Sequence, residues 1–378
     1  MFPNQSPKST DQSPKFPNQS PKFPNQSPKS TDQLESEMAT LVKQQYGKDK
    51  VRLVKVTDLP SSQDLKHQHV QELTVRVLLS GVQFEPSYSK ADNSLVVPTD
   101  TVKNTIYYLA QKTQATLEDI EGFGKVIARH FLKKYSHVEG VHMAIVAHDW
   151  TRIQTSTLEP TTDRNAGSRV TSVNSVAALA LQNHPHSFYR GGEQKRTTAI
   201  EALRVDASSS GFKIKFKIQS GIKDLYVLKS TGSSFENYHK CELTTLPPMK
   251  ERIFSTDIQA NWTFPPFTEA ADGASKFDVI PFTNIYKSVK QVTLDLFANH
   301  DSPSVQNTLY RIGEVLLNVC PQIHDISYAL PNKHVFTYDL KRFGLENKTG
   351  DKSTVYYPVA DPSGLITATI GRKGASKL

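Results

Sequence analysis

The chain of 378 residues contains only two cysteines, Cys241 and Cys320, which lie far apart and form no CxxC motif. This scarcity argues against a zinc site and favours a reducing intracellular compartment. No apolar run approaches the ~20 residues that a membrane-spanning helix needs, and the N-terminus lacks the apolar core of a signal peptide. We therefore expect no association with a membrane.

Three motifs of phosphate and acyl chemistry are also missing, namely GxGxxG, GxxxxGK[ST] and GxSxG. The sequence therefore gives no support for a dinucleotide-binding site, a P-loop or the nucleophile elbow of a hydrolase. Two His-x-His pairs, His67/His69 and His184/His186, do have the spacing at which two residues share one face of a strand. Neither pair has a third ligand at a diagnostic spacing, so we expect surface or packing histidines and no bound metal.

The formal net charge is +8 and the isoelectric point is near 9.2. A basic protein suits an anionic partner such as nucleic acid, acidic lipid or a small anionic substrate. In "FKIKFKIQ" (212–219), however, Lys213, Lys215 and Lys217 alternate with apolar residues, which is typical of a strand with one solvated face. A strand that binds nucleic acid would carry aromatics on its lysine face, and here they lie on the opposite face. The sequence therefore argues against a nucleic-acid partner.

The first 37 residues repeat "FPNQSPK" and "STDQ", and they contain hardly any apolar residue except the phenylalanines that open the units. Such a segment cannot bury enough surface to offset its chain entropy, so we predict that it is disordered. From Tyr46 onward the pattern becomes globular.

The globular part repeats the order strands, two helices, strands. The first round has strands at 51–58 and 71–81, helices at 99–112 and 116–135, and a strand-like stretch at 138–153. The second round has strands at 196–206, 212–219, 221–230 and 252–264, helices at 284–299 and 304–319, and strands at 323–330 and 333–340. This order predicts an α+β fold of tandem units, each an antiparallel sheet with paired helices on one face.

The predicted boundaries follow from these shifts in composition and pattern. A Ser/Thr/Asn-rich surface insertion separates the units, and its "SVAALALQ" segment could form a helical turn. The first helix is expected to be capped by Thr99 or Asp100 and the second by a capping box at Thr116. The predicted parts are a disordered segment at 1–37, a first unit at 38–154, the insertion at 155–183, a second unit at 184–345 and a C-terminal tail at 346–378.

Two segments combine residue types suited to chemistry. In "PNKHVFTYDL" (331–340), strand alternation places Asn332 and His334 on the face of the aromatic residues, which an ordinary core histidine with one hydrogen-bond partner could also explain. The segment 225–252 presents Phe235 and Arg252. An aromatic ring can stack on a flat anionic ring while a guanidinium clamps its acceptors, although a packed phenylalanine and a surface arginine would fit the same pattern.

Several stretches together resemble the urate oxidase (uricase) family. The similarity covers about 46–378 apart from the insertion. Leu243 departs from it, because the family usually has an aromatic residue there, and the repeated N-terminus and the insertion exceed the usual family length. The matching stretches are "YGKDKVRLVKV" (46–56), "YSKADNSLVVPTDTVKNT" (88–105), "HPHSF" (184–188), "LKSTGSSFENY" (228–238) with Leu246 and Arg252 downstream, "FSTD" (254–257), "SVQNTLY" (304–310) and "SYALPNKHVFTYDL" (327–340).

The resemblance implies two tandem tunnelling-fold (T-fold) units per chain, with four chains closing barrels around a tunnel. It also implies oxidation of urate by molecular oxygen to 5-hydroxyisourate and hydrogen peroxide, with no cofactor, in purine catabolism. The substrates would be urate and O2, and the active sites would lie at subunit interfaces of a homotetramer.

The same resemblance assigns roles to individual residues. Phe235 would stack on the purine, Arg252 and Gln306 would hold its opposite polar edges, and the Val305 backbone with Leu246 would complete the wall. A second set would handle protons and oxygen: Lys48, Thr99 and His334 would form a proton relay, Asn332 and Thr99 would bracket the oxygen or water site, and Asp100 would contact the substrate through its backbone.

The last three residues, Ser376, Lys377 and Leu378, match the peroxisomal targeting tripeptide and follow a basic, glycine-containing stretch. We therefore expect recognition by the peroxisomal import receptor and a peroxisomal location.

Two alternatives are weighed, one within enzymes and one from another class of protein. A pterin- or purine-binding relative on the same fold would use a zinc ion or a pterin-anchoring glutamate, and no supporting cluster is found in the sequence. A nucleic-acid-binding module conflicts with the separation of aromatics and lysines in 212–219.

Overall fold

The computed structural model describes residues 39–59, 67–113, 117–156, 181–208, 211–273, 280–347, 353–359 and 361–373. The predictions for 1–37, for most of the 155–183 insertion and for the C-terminal tripeptide lie outside the described residues. The part of the chain from Gln44 onward forms one compact unit, which contains every helix and strand described below.

Thirteen strands and five α-helices are described, numbered here in chain order. The helices are α1 Glu85–Ser89, α2 Thr99–Lys112, α3 Ile120–Lys134, α4 Phe282–Asn299 and α5 Val305–Val319. The strands are β1 Tyr46–Asp58, β2 Gln68–Ser80, β3 Gly140–His148, β4 Thr151–Ser156, β5 Leu181–Tyr189, β6 Lys195–Ser208, β7 Gly211–Lys229, β8 Phe254–Thr263, β9 Phe267–Ala270, β10 Asp325–Pro331, β11 His334–Thr337, β12 Tyr356–Val359 and β13 Leu365–Gly371.

Nine of these strands form one antiparallel sheet in the order β1-β2-β3-β6-β7-β8-β10-β13, with β9 also paired to β7. In its first four strands and again in its last four, two strands are followed in the chain by helices and then by two more strands: α1, α2 and α3 lie between β2 and β3, and α4 and α5 between β8 and β10. Two-stranded sheets, β4-β5 and β11-β12, lie in the chain between the third and fourth strands of these sets. The α+β class with an antiparallel sheet is therefore confirmed, whereas the predicted unit boundaries stay a prediction.

Packing of the helices follows from the alternation of side chains along the strands. Helix α2 packs against β1, α3 against β3 and β6, α4 against β7, and α5 against β10 and β13. In β7, Ile214 and Phe216 are fully buried while Lys215 and Lys217 are exposed. The predicted apolar and solvated faces of 212–219 are confirmed. No described helix is long and apolar enough to cross a membrane.

The predicted helix caps were wrong where they can be checked. Pro98 occupies the position before α2 and no side chain caps this helix. The Asp100 carboxylate instead accepts hydrogen bonds within the first turn, from Lys103 and Asn104. Helix α3 begins later than predicted, because Asp119 provides its cap and accepts a hydrogen bond from the Gly122 N–H at 2.9 Å. Thr116 lies outside the described residues.

The two strands predicted at 212–219 and 221–230 are the single strand β7. The predicted break falls beside Gly221, which lies inside the sheet, where a Cβ atom would come within 2.9 Å of the Ala260 carbonyl oxygen. The glycine is required by this close approach of strands rather than by a turn. A register shift against β8 follows between Ile222 and Leu225. Four strands were not predicted at all: β5, β9, β12 and β13.

Candidate active site

The loop between β7 and β8 carries Phe235 and Arg252. It folds back on itself because Phe235 and Met249 exchange backbone hydrogen bonds of 2.7 and 2.9 Å. The Arg252 guanidinium carbon therefore lies 5.4 Å from the centroid of the Phe235 ring. Tyr238 stacks on the same ring at 5.0 Å, and its hydroxyl donates a hydrogen bond to the Leu246 carbonyl. The predicted residues Phe235, Leu246 and Arg252 are thus brought together.

The start of helix α5 is joined to this loop. The Ser234 N–H donates to the Ser302 carbonyl at 2.8 Å, and the Ser302 N–H donates to the Gly232 carbonyl at 3.0 Å. Two residues later Ser304 caps the helix by accepting a hydrogen bond from the Asn307 N–H at 3.1 Å. The N-terminal turn of α5, with its buried Val305 and exposed Gln306, therefore stands beside the aromatic loop.

The segment after β10 approaches the first residues of β8. Thr256 pairs with Asn332, and the Lys333 N–H donates to the Ser255 carbonyl at 2.9 Å. The side-chain carbonyl oxygen of Asn332 is buried and has no hydrogen-bond partner among the described residues. A buried acceptor without a protein partner is costly unless a ligand or water supplies a donor.

His334 begins β11, and its ring lies 6.1 Å from the ring of Phe336, centroid to centroid. The two side chains therefore lie on one side of the strand, as the alternation predicted. The strand itself is shorter than the predicted 333–340, since it ends at Thr337. His334 and Asn332 therefore lie near the first residues of β8, and Arg252 comes just before this strand in the chain.

The remaining predicted residues gather at the start of helix α2. The Val97 N–H donates to the Tyr46 hydroxyl at 2.8 Å, which fixes the beginning of β1 beside Thr99 and Asp100. The Lys103 ammonium, 2.5 Å from the Asp100 carboxylate, lowers the pKa of Asp100 below its usual value, and the Lys48 charge contributes a smaller effect in the same direction. Lys48, Thr99 and Asp100 therefore form a second group.

Within one chain the two groups lie far apart. The residue pairs between neighbouring strands lead from Lys48 on β1 through β2, β3 and β6 to Ile218 on β7, so these two residues lie at the same height in the sheet. From Ile218, strand β7 continues to Lys229, where the loop of Phe235 begins, a distance of roughly 35 Å at about 3.3 Å per residue. Each chain therefore presents two half-sites at opposite ends of its sheet.

Arg252 is the dominant charge of the larger half-site. Burial lowers the pKa of Arg252 below its usual value. Among the described residues Arg252 forms no ion pair. Its Nε atom donates to the Ser233 hydroxyl at 3.3 Å. A desolvated guanidinium without a counter-ion, beside an aromatic ring, can bind a flat anion by stacking and a two-point clamp.

The other histidines do not cluster with further metal-binding side chains in the described parts of the chain. Within the parts of the chain that are described, no group of three or more His, Cys, Asp or Glu side chains is arranged to hold a metal ion. The His184 and His186 rings contact each other at 4.5 Å, and His69 lies 3.5 Å from Glu118. The expected absence of a metal stays a prediction. Sequence reasoning missed Ser233 and Tyr238 because the loop has no periodicity that would have singled them out.

The fold and the half-sites define an α+β protein with a candidate site for a flat, anionic ring. The uricase family model matches residues 44–201 and 218–367. Uricases of Schizosaccharomyces pombe and Cyberlindnera jadinii are 40% and 41% identical to the chain, over 88% and 90% of its length and 99% of theirs. The crystal structure of uricase from Arthrobacter globiformis matches with a TM-score of 0.67 at 32% identity, covering 90% of this chain and 97% of that one. The chain belongs to the uricase family and is an enzyme of the urate oxidase class.

Proposed function

We propose that the protein oxidises urate with molecular oxygen and water to 5-hydroxyisourate and hydrogen peroxide, without a cofactor, as a step of purine catabolism. Family membership supports urate and oxygen as the substrates. The observation that carries the proposal is Arg252, half-buried, with no counter-ion among the described residues, 5.4 Å from the Phe235 ring.

In the proposed complex the larger half-site binds the purine. Phe235 stacks on the ring, while Arg252 and Gln306 hold its two polar edges. The Val305 backbone and Leu246 complete the wall. The hydrogen bonds between the loop and α5 support this assignment, because they fix the spacing between the two residues that hold the ring.

Proton transfer joins Lys48 and Thr99 of the smaller half-site to His334, which lies beside the larger one. Oxygen accepts electrons one at a time, so an electron-rich urate anion can reduce it directly once the site removes a proton. Lys48, Thr99 and His334 form the proposed relay, and Arg252 stabilises the anion. Asn332, whose buried carbonyl oxygen needs a donor, brackets the oxygen or water site together with Thr99. Asp100 contacts the substrate through its backbone.

A complete site requires two chains under this proposal. Lys48 and Thr99 lie too far from Arg252 and His334 to act with them in one chain, whereas a neighbour that runs in the opposite direction brings the two groups together. Strands β1 and β13 are the outer strands of the described sheet, so each has an unpaired edge on which another chain could continue the sheet into a barrel. We propose a homotetramer of T-fold units with sites at its interfaces.

The activity is tested by incubating metal-stripped protein with urate in air while recording near-UV absorbance and peroxide. We expect urate absorbance to fall and about one peroxide to form per urate consumed, because each reaction reduces one O2 by two electrons. The Arg252→Ala variant serves as a control for contaminating oxidases. Loss of activity after metal removal, restored by adding a metal, would contradict the cofactor-free mechanism.

The role of Arg252 is tested by Arg252→Lys, which keeps the charge but loses the planar two-point clamp. We expect the affinity for urate, measured by anaerobic titration so that no turnover occurs, to fall by about 1.5–3 kcal/mol. The matched control is Arg129→Lys on α3, where the side chain pairs with Glu269. An unchanged dissociation constant in Arg252→Lys would remove Arg252 from the site.

We also propose that Ser376, Lys377 and Leu378 direct the protein to peroxisomes through their import receptor. Deleting the tripeptide should leave activity in vitro unchanged and move a fluorescently tagged protein from peroxisomes to the cytosol. The control is a chain of the same length with the three residues replaced by alanine, which should also be cytosolic. A truncated chain that remains in peroxisomes would indicate another signal.

A further inference from the structure

Glu251 precedes Arg252 in the chain, yet its carboxylate does not pair with the guanidinium. One carboxylate oxygen accepts hydrogen bonds from the Thr231 hydroxyl at 2.8 Å and from the Gly232 N–H. Because these contacts favour the charged form, chiefly the one from Thr231, the pKa of Glu251 lies below its usual value. The loop therefore contains an ionised carboxylate that is held at its base.

Arg252 is anchored by different groups. Its backbone N–H donates to the Ser233 carbonyl at 2.9 Å, and its Nε donates to the hydroxyl of the same serine at 3.3 Å. Ser233 is almost completely buried and pairs with Ser302. The backbone and the Nε atom of Arg252 are thus held in place, while its terminal nitrogens form no hydrogen bond with a carboxylate among the described residues.

A third charged residue lies beneath the loop. The Lys229 ammonium donates to the His300 carbonyl at 2.6 Å, at the end of α4, and its charge acts on Glu251. The Glu251 carboxylate therefore links residues 229–232, where the chain leaves β7, to the segment that leads into β8. The two ends of the loop are held together at this point, and the carboxylate faces Thr231.

We propose that Glu251 is a positioning residue for the anion site. By binding Thr231 and Gly232 it closes the base of the loop, and it keeps its own charge away from Arg252. The guanidinium consequently remains available to an anionic ligand instead of forming an ion pair within the chain. This inference rests on the proposed function, because the ligand is taken to be the urate anion.

The test separates this role from a merely structural one by a double-mutant cycle. In Thr231→Val the hydroxyl is lost and Glu251 can turn toward Arg252, so anaerobic urate binding should weaken about 5-fold, the size of one hydrogen-bond change. In Glu251→Gln the side-chain oxygen can still accept the bonds from Thr231 and Gly232 while the competing charge is absent, so the loop stays closed and binding should stay within about 2-fold of wild type. The double variant should bind as Glu251→Gln does, because no charge remains to compete.

Two controls accompany the cycle. Thr231→Ser keeps the hydroxyl and should bind like wild type. Glu242→Gln removes an exposed carboxylate from the same loop and should also have no effect. Melting temperatures are recorded for all variants to confirm that each one folds.

A double variant that binds urate as weakly as Thr231→Val, or more weakly, would show that the contact only supports the loop and would overturn the positioning role. If wild-type protein consumes urate in air while the cycle shows no coupling, the inference fails and the proposed function stands. If wild-type protein neither binds nor consumes urate, both fail together.

Discussion

Replacement of Lys48 by methionine is expected to lower the turnover of urate by about 100-fold or more, within the 10²–10⁴ range of proton-transfer catalysis. Methionine keeps most of the length of the side chain but has no ammonium. Lys48 stands beside the start of α2, close enough for its charge to act on Asp100, and not beside the loop that holds the ring. Its loss should therefore remove proton movement and spare binding.

The measurement is a separate determination of kcat and of the anaerobic dissociation constant for urate. The dissociation constant should change less than about 3-fold, because an interaction used mainly in the transition state affects kcat. Lys50→Met is the matched control, an exposed lysine two residues further along β1. If the main effect falls on binding rather than on kcat, Lys48 is a ligand of the ring and the assigned relay is wrong.

Two inactive variants should restore activity when their chains assemble together. Thr99→Ala disables the smaller half-site and Arg252→Ala the larger one, and each is expected to be nearly inactive alone. In a mixed pair of chains, one interface site carries both defects and the other carries neither. Random pairing makes half the pairs mixed, so roughly one site in four should be complete and activity should reach about a quarter of wild type.

The comparison needs a pair of variants that cannot complement. Thr99→Ala and Lys48→Met lie in the same half-site, so every site of a mixed pair still has one defective component and activity should stay near background. The first pair must also stay inactive when its proteins are combined without exchange of subunits. Activity of the exchanged Thr99→Ala and Arg252→Ala mixture at the level of the separate variants would place the site within one chain and exclude the shared interface.

Local features of the fold and the site could be predicted from the sequence, because they depend on neighbouring residues. The alternation in 212–219 predicted the buried and exposed faces of β7, and the aromatic and the guanidinium of 225–252 do meet. The resemblance to a family, rather than any pattern, supplied the roles of Lys48 and Thr99. Nothing in the spacing along the chain would have singled these two residues out.

Features that depend on pairing between distant segments could not be predicted. Gly221 resembles a turn residue until Ala260 and Asn261 are known to lie against it. The position of Lys48 level with Ile218, at the far end from the aromatic loop, follows only from the register of five strands. The orientation of Glu251 away from its neighbour Arg252 is likewise set by Thr231, twenty positions earlier.

The order of strands in the sheet also has a consequence for how the chain folds. Ser80 pairs with Gly140 across helices α1, α2 and α3, and β8 pairs with β10 across α4 and α5. Pairings between such remote segments form slowly, and partly folded chains expose strand edges on which they aggregate. Recovery from denaturant should therefore be slow and incomplete at high protein concentration. Chains that are to be combined in one assembly are best made together in the same cell, where each folds as it is synthesised.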